Sequence, residues 1–163
     1  MLSVRPATSD DVDACVAVLV GLPDHFTPDT HDQLRHAMSV HPAWVATATD
    51  SDPGVGEVVG VVVAERRYER SAEITFAAVR PERHGHGVGT ALVERAITDL
   101  RADGVEIVEA KTLDASSGYE PYIATRAFWE ARGFVQIDCI DPLPGWQPGN
   151  PSAIYVRPIV PSD

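Results

Sequence analysis

The chain has 163 residues, 44% of them hydrophobic, which is enough for one packed core and too many for a disordered chain, so a single domain over 1–163 is expected. Its 13 basic and 24 acidic residues give a formal charge of −11. A field of that sign repels phosphate backbones and excludes nucleic acid as a favoured ligand, while it attracts cationic partners. No apolar run approaches the ~20 residues of a membrane span, and residues 1–6 lack the regions of a secretory leader. The expectation is therefore no membrane partner and a cytoplasmic location. Cys15 falls in an apolar helical pattern and Cys139 in a strand pattern, which reads as two buried thiols in a reducing compartment.

Residues 2–5 are a short strand ending at Pro6. Thr8 and Asp11 have the spacing of a capping box, and Val12, Cys15, Val16 and Leu19 then mark an amphipathic helix that stops near Gly21 and Pro23. Thr30 and Gln33 fit a second capping box, followed by a stripe of Leu34, Ala37 and Met38 closed by Pro42. Strands are predicted over 44–49 and 58–64, with the cluster Ser51, Asp52, Pro53, Gly54 turning the chain between them. The second is nearly all β-branched, as expected when both faces are covered.

A polar connection over 66–71 leads to a strand over 73–79. Residues 88–101 carry apolar side chains at 88, 91, 92, 96, 97 and 100, a helix ended by Gly104, and 105–110 returns as a strand. After a polar stretch over 114–121, Ala124, Ala127, Phe128 and Ala131 form the inward stripe of a last helix, with Gly133 as its left-handed cap. Val135, Ile137 and Cys139 alternate with polar residues in a half-buried strand, and 153–157 closes the chain as another. Strands and helices in this order give an α/β (α+β) fold, a mixed sheet with helices on its faces.

The segment that carries chemistry runs from Val79 through Pro81, His84, Gly85, His86, Gly87, Val88 and Gly89 to Thr90. It follows a strand and opens a helix. Glycines at 85, 87 and 89 let backbone N–H groups point into one concavity, and the helix adds unpaired donors and the positive end of its dipole. Such a turn suits a pyrophosphate. A dinucleotide-binding turn would follow the first strand, and a P-loop would end in Gly-Lys-Ser/Thr; this turn does neither. His84 and His86 form a His-x-His pair, but no third ligand has suitable spacing, so no metal is expected.

At these residues the chain resembles the GNAT superfamily of N-acetyltransferases. Its signature, a Gln or Arg, two residues, Gly, one residue, then Gly or Ala, falls on His84, Gly87 and Gly89, with His84 departing from the usual residue. A second signature, Thr125-Arg126-Ala127-Phe128-Trp129-Glu130 followed by Gly133-Phe134, keeps the family spacing. The resemblance implies a mostly antiparallel sheet with central splayed parallel strands and helices on both faces. It implies acetyl-CoA as cosubstrate, with the backbone of Ala77, Ala78 and Val79 beside its pantetheine arm. His84, Gly85, His86, Gly87, Val88, Gly89 and Thr90 would lie at its pyrophosphate, and the helix from Tyr122 to Trp129 would flank its other side. The splayed partner strand would be 105–110.

The resemblance further implies direct transfer of acetyl to a primary amine of a small molecule or peptide. Glu73 stands where one branch of the family has a general base. Strand alternation puts it on a face with Thr75 and Ala77, and a substrate-holding or edge carboxylate is the competing reading. The family's Tyr acid is replaced by Trp129, whose indole donates hydrogen bonds without being a useful acid. Tyr119 or Tyr122, a water, or departure of the thiolate without an acid could take its place; Tyr122, at the start of the same helix, is the first candidate, with packing or acceptor contact as its other role. His25, His31, His36 and His41 lie in the two-helix region that often walls the acceptor pocket. The charge favours a cationic amine, the oligomeric state is open to a homodimer, and a catalytically inactive acyl-CoA sensor is the alternative.

Overall fold

The computed structural model describes residues 1–49 and 56–160, so the expected turn at Ser51, Asp52, Pro53 and Gly54 lies outside the described residues. In chain order the elements are β1 (Leu2–Pro6), α1 (Val12–Val20), α2 (Pro28–Val40), β2 (Ala43–Ala48), β3 (Glu57–Tyr68), β4 (Ser71–Val79), α3 (Val88–Ala102), β5 (Ile107–Leu113), α4 (Ile123–Ala131), β6 (Val135–Ile140) and β7 (Ser152–Pro158). The strands make one sheet in the order β1-β2-β3-β4-β5-β7-β6. Every neighbouring pair is antiparallel except β4 and β5. Among the described residues no helix is long and apolar enough to cross a membrane.

Helices cover both faces. Val88, Leu92, Val93, Ala96, Ile97 and Leu100 of α3 share a core with Trp129 and Phe134 on one face. Cys15, Val18 and Leu19 of α1 and Leu34 of α2 fill the other. β3 lies between these layers and is buried continuously from 58 to 64, which explains its run of β-branched residues without alternation. Each fully buried Leu or Val here contributes about 1.5–3 kcal/mol of apolar transfer.

Several elements depart from the sequence reading. β3 extends to Tyr68, because Glu65, Arg66 and Tyr68 go on pairing with β4, and the expected connection shrinks to a turn at Glu69 and Arg70. β5 spans Ile107–Leu113 and not 105–110, since β7 supplies a partner at every residue of that span. Thr27, with Pro28 at the first helical position, precedes α2, and Thr30 lies within the helix. In α4 the expected stripe is rotated: Ala124, Ala127 and Ala131 are exposed and Trp129 is the buried residue. The indole wins because it wedges between the rings of Phe128 and Phe134, at 5.1 and 4.9 Å. β6 is exposed throughout, as an edge strand partnered on one side only, and so Cys139 is exposed while Cys15 is buried.

The expected capping box at Thr8 and Asp11 is present, with Asp11 accepting from the Thr8 N–H at 2.8 Å. Arg5 from β1 grips the same carboxylate through two bonds of 2.8 Å, and so ties the first strand to the entry of α1. The Arg5 pair, against the opposing effect of burial, holds the Asp11 carboxyl at about 2, below its ordinary 3.8. A carboxyl lowered on folding adds stability above its unfolded value, and that stability is lost as pH falls through the folded one. Asp11→Asn is therefore expected to cost about 1–3 kcal/mol in urea unfolding near neutral pH. Its deficit against the native chain should close as pH is lowered from 3.8 toward about 2.

Candidate active site

β4 and β5 pair over four rungs, from Ser71↔Ile107 to Ile74↔Ala110, and then part. β4 continues to Val79 along β3, and β5 continues to Leu113 along β7. A wedge opens between the two strands, bounded on β4 by 75–79 and on β5 by Lys111–Leu113, one step beyond the strand that the sequence suggested. The Arg80 N–H donates to the Val59 carbonyl at 2.8 Å. That bond makes Gly60 and Val79 a pair that exchanges no hydrogen bonds, so the N–H and C=O of Val79 point away from β3 and into the wedge. Ala77 repeats this orientation two residues earlier. Ala78 turns its backbone to β3 and its side chain into the core against α1, which removes it from the backbone surface of the wedge.

The register of β3 against β4 slips between Val63 and Ala64, leaving Thr75 as an extra residue in a bulge. Simple alternation is broken there. Ala72 and Ile74 join the α3 core, and beyond the bulge it is Ala77 and Val79 that pack against that core. Phe76 and Ala78 face the α1 and α2 layer. Glu73 thus shares a face with Phe76 and Ala78, and not with Ala77 as alternation predicts.

The Glu73 side chain is 8% exposed and ends in a charged cluster. Its Oε2 accepts from Arg67 Nε at 2.8 Å and Nη2 at 2.5 Å, and from Lys111 Nζ at 3.1 Å. All of these bonds fall on one oxygen. Oε1 has no hydrogen-bond partner among the described residues. Arg67 also meets Glu65 at 3.1 Å and Lys111 meets Glu109 at 3.6 Å, so the carboxylate is held in place by cations that are themselves held.

The glycine turn stands at the mouth of the wedge. Gly85 and Gly87 have φ of 76° and 77°, the left-handed region, and no atom lies within 4 Å of where a Cβ would be. Backbone conformation, not space, requires glycine at both. Gly89 has the opposite reason: a Cβ there would come within 3.0 Å of the Phe128 ring. His84 and His86 are tied to the turn itself, His84 Nε2 to the Val79 carbonyl at 2.7 Å and His86 Nδ1 to the His84 carbonyl at 2.8 Å. Val88 is buried, and no acidic residue occupies the first turn of α3. The Thr90 hydroxyl there accepts from Arg132.

Trp129 and Tyr122 do not meet the sequence expectation equally. Trp129 is 5% exposed and packs in the core that α3 shares with Phe134. The Tyr122 hydroxyl donates to the His25 carbonyl at 3.2 Å, Tyr119 donates to the Asp24 carbonyl at 3.0 Å, and His25 Nε2 lies 3.0 Å from the Pro121 carbonyl. These bonds clasp the loop between α1 and α2 to the segment before α4. Burial raises the Tyr122 phenol above its ordinary value. Among the described residues no group of three or more His, Cys, Asp or Glu could hold a metal ion.

Sequence reasoning missed Arg67, Lys111 and Arg132. Lys111 was findable, being two residues from Glu109 on a strand; Arg67 was not, because it reaches Glu73 only through the longer β3.

A family model described as the acetyltransferase (GNAT) family matches residues 17–134. The chain belongs to this family. The GNAT fold is equally clear among solved structures. A GNAT-family protein from Desulfovibrio desulfuricans superposes with a TM-score of 0.83 at 21% identity, over 98% of this chain and 100% of that one. The ribosomal-protein-S18-alanine N-acetyltransferase of Escherichia coli gives 0.74 at 17% identity, over 100% and 97%. An aminoglycoside 6'-N-acetyltransferase complexed with coenzyme A gives 0.72 at 18%, over 99% of each chain. No sequence among curated proteins matches the chain. As a GNAT acetyltransferase it carries a tryptophan at the usual tyrosine position, buried as a core residue. Trp129→Ala is accordingly expected to cost about 3–5 kcal/mol in urea unfolding, with Trp129→Phe losing much less.

Proposed function

We propose that this acetyltransferase moves the acetyl group of acetyl-CoA directly onto a primary amine. The observation that carries the reading is the wedge between β4 and β5, which presents the Val79 N–H beside a glycine turn built for phosphates. In this reading the pyrophosphate meets the N–H groups of 85–90, the pantetheine arm runs from there back along Val79 and Ala77, and the Ala77 N–H, the nearer of the two to Glu73, polarises the thioester carbonyl. His84 and His86 hold the turn in shape through their bonds to its backbone.

The acceptor amine approaches from the α1 and α2 face, where Glu73 lies. Cations fix Oε2 of Glu73, leaving Oε1 to receive the amine's proton. The neutral nitrogen then attacks the carbonyl carbon, the C–S bond breaks, and the departing thiolate takes a proton from solvent. Tyr122 is assigned to the clasp over the site and not to proton transfer, since its hydroxyl is committed to the His25 carbonyl. A formal charge of −11 favours a cationic acceptor, and amines of different size are acceptors of the solved relatives, an S18 alanine and an aminoglycoside.

The test is release of free CoA thiol from acetyl-CoA with a panel of polyamines, aminoglycosides, amino acids and basic peptides. Amine-dependent release is expected, and Glu73→Gln should lower kcat by roughly 10²–10⁴-fold, the range of general-base loss. Tyr122→Phe should leave kcat within a few-fold. A comparable loss in Tyr122→Phe would return the phenol to the role of acid. Tight acetyl-CoA binding with no release for any amine would favour a sensor domain instead.

A further inference from the structure

We propose that Arg132 binds a phosphate group of the cofactor, closing over the glycine turn from the side of α4; this rests on the acetyl-CoA reading above. Arg132 caps the C-terminal end of α4 and is half-buried. Its guanidinium lies over the Phe128 ring, 5.4 Å from the centroid, and its Nη1 donates to the Thr90 hydroxyl in the first turn of α3. The close contact of Phe128 with Gly89 is what brings α4, and Arg132 with it, against the mouth of the wedge.

Arg132 stands at the negative end of the α4 dipole, but its guanidinium reaches across to the positive start of α3, where a cation is disfavoured unless an anion joins it. The start of a 15-residue helix carries roughly +0.5 elementary charge and unpaired N–H groups. Proteins ordinarily put acidic residues there, and α3 has none in that turn. Other arginines of this acidic chain have found oxygen partners that absorb their charge. Arg5, Arg95 and Arg157 sit on carboxylates, and Arg66 and Arg101 on backbone carbonyls. Arg132 has, among the described residues, only a neutral hydroxyl and an aromatic face. The guanidinium and the start of α3 therefore converge on one spot with no acidic side chain from the described residues paired to either. Thr90, accepting from Arg132, keeps its own hydroxyl proton to donate toward the same phosphate. A guanidinium presents a planar fork of donors, the geometry that phosphate oxygens take best.

Calorimetry decides the matter with three ligands: CoA, dephospho-CoA, which lacks the 3'-phosphate, and pantetheine, which has no phosphate. Arg132→Ala is expected to weaken CoA binding by roughly 10–100-fold, to leave pantetheine unchanged, and to be partly rescued by Arg132→Lys. Loss for CoA and dephospho-CoA alike assigns Arg132 to the diphosphate, and loss for CoA alone to the 3'-phosphate; each supports the proposal. Unchanged CoA affinity in a variant that unfolds like the native chain would overturn it, as would an equal loss for pantetheine. Failure of the native chain to bind CoA would instead remove the acetyl-CoA reading, and this assignment with it.

Discussion

Beyond Ile74 and Ala110 two parallel strands stop pairing with each other, and the rest of the site depends on that parting. Neither strand is left single. β4 stays on β3 and β5 stays on β7, so each keeps one full ladder while exposing the other edge. An exposed edge of backbone N–H and C=O groups inside a protein is costly unless something pairs with it. The bulge at Thr75 sharpens the divergence by adding local twist just where β5 leaves. The wedge is thus a strand position held open by its neighbours, ready for an extended ligand with amide groups of its own.

Charge is arranged around the wedge by side and by sign. On the α1 and α2 face the carboxylates of Glu65, Glu73 and Glu109 line up across three strands, interleaved with Arg67 and Lys111. At the mouth, a helix start free of acids stands with Arg132 and the glycine turn. An anion is favoured at the mouth and a cation beside the carboxylates. The chain as a whole is acidic, which makes the positive mouth a local exception and the net field an attraction for cations.

Much of this was legible in the sequence, for reasons that can be given residue by residue. The glycine turn was, because a left-handed φ at Gly85 and Gly87 admits little else. The buried β3 was, because a strand covered on both faces needs no alternation. What failed was whatever depended on neighbours distant in sequence. The bulge at Thr75 inverted the face of Glu73, and nothing local announces a bulge. The α4 stripe was rotated because three alanines suggested an inward face that Trp129, with far more apolar surface, took instead. The commitment of Tyr122 to His25, a residue 97 positions away, likewise belongs to tertiary structure alone.

The central claim is that acetyl-CoA lies in the wedge between β4 and β5. Hydrogen–deuterium exchange on the native chain, with and without saturating acetyl-CoA, tests it most directly. Slowed exchange at Ala77 and Val79 and through the turn from Gly85 to Thr90, with β1 and β2 unchanged, is the predicted result. Saturable binding that leaves these amides unprotected, or protects a different part of the sheet, would contradict it.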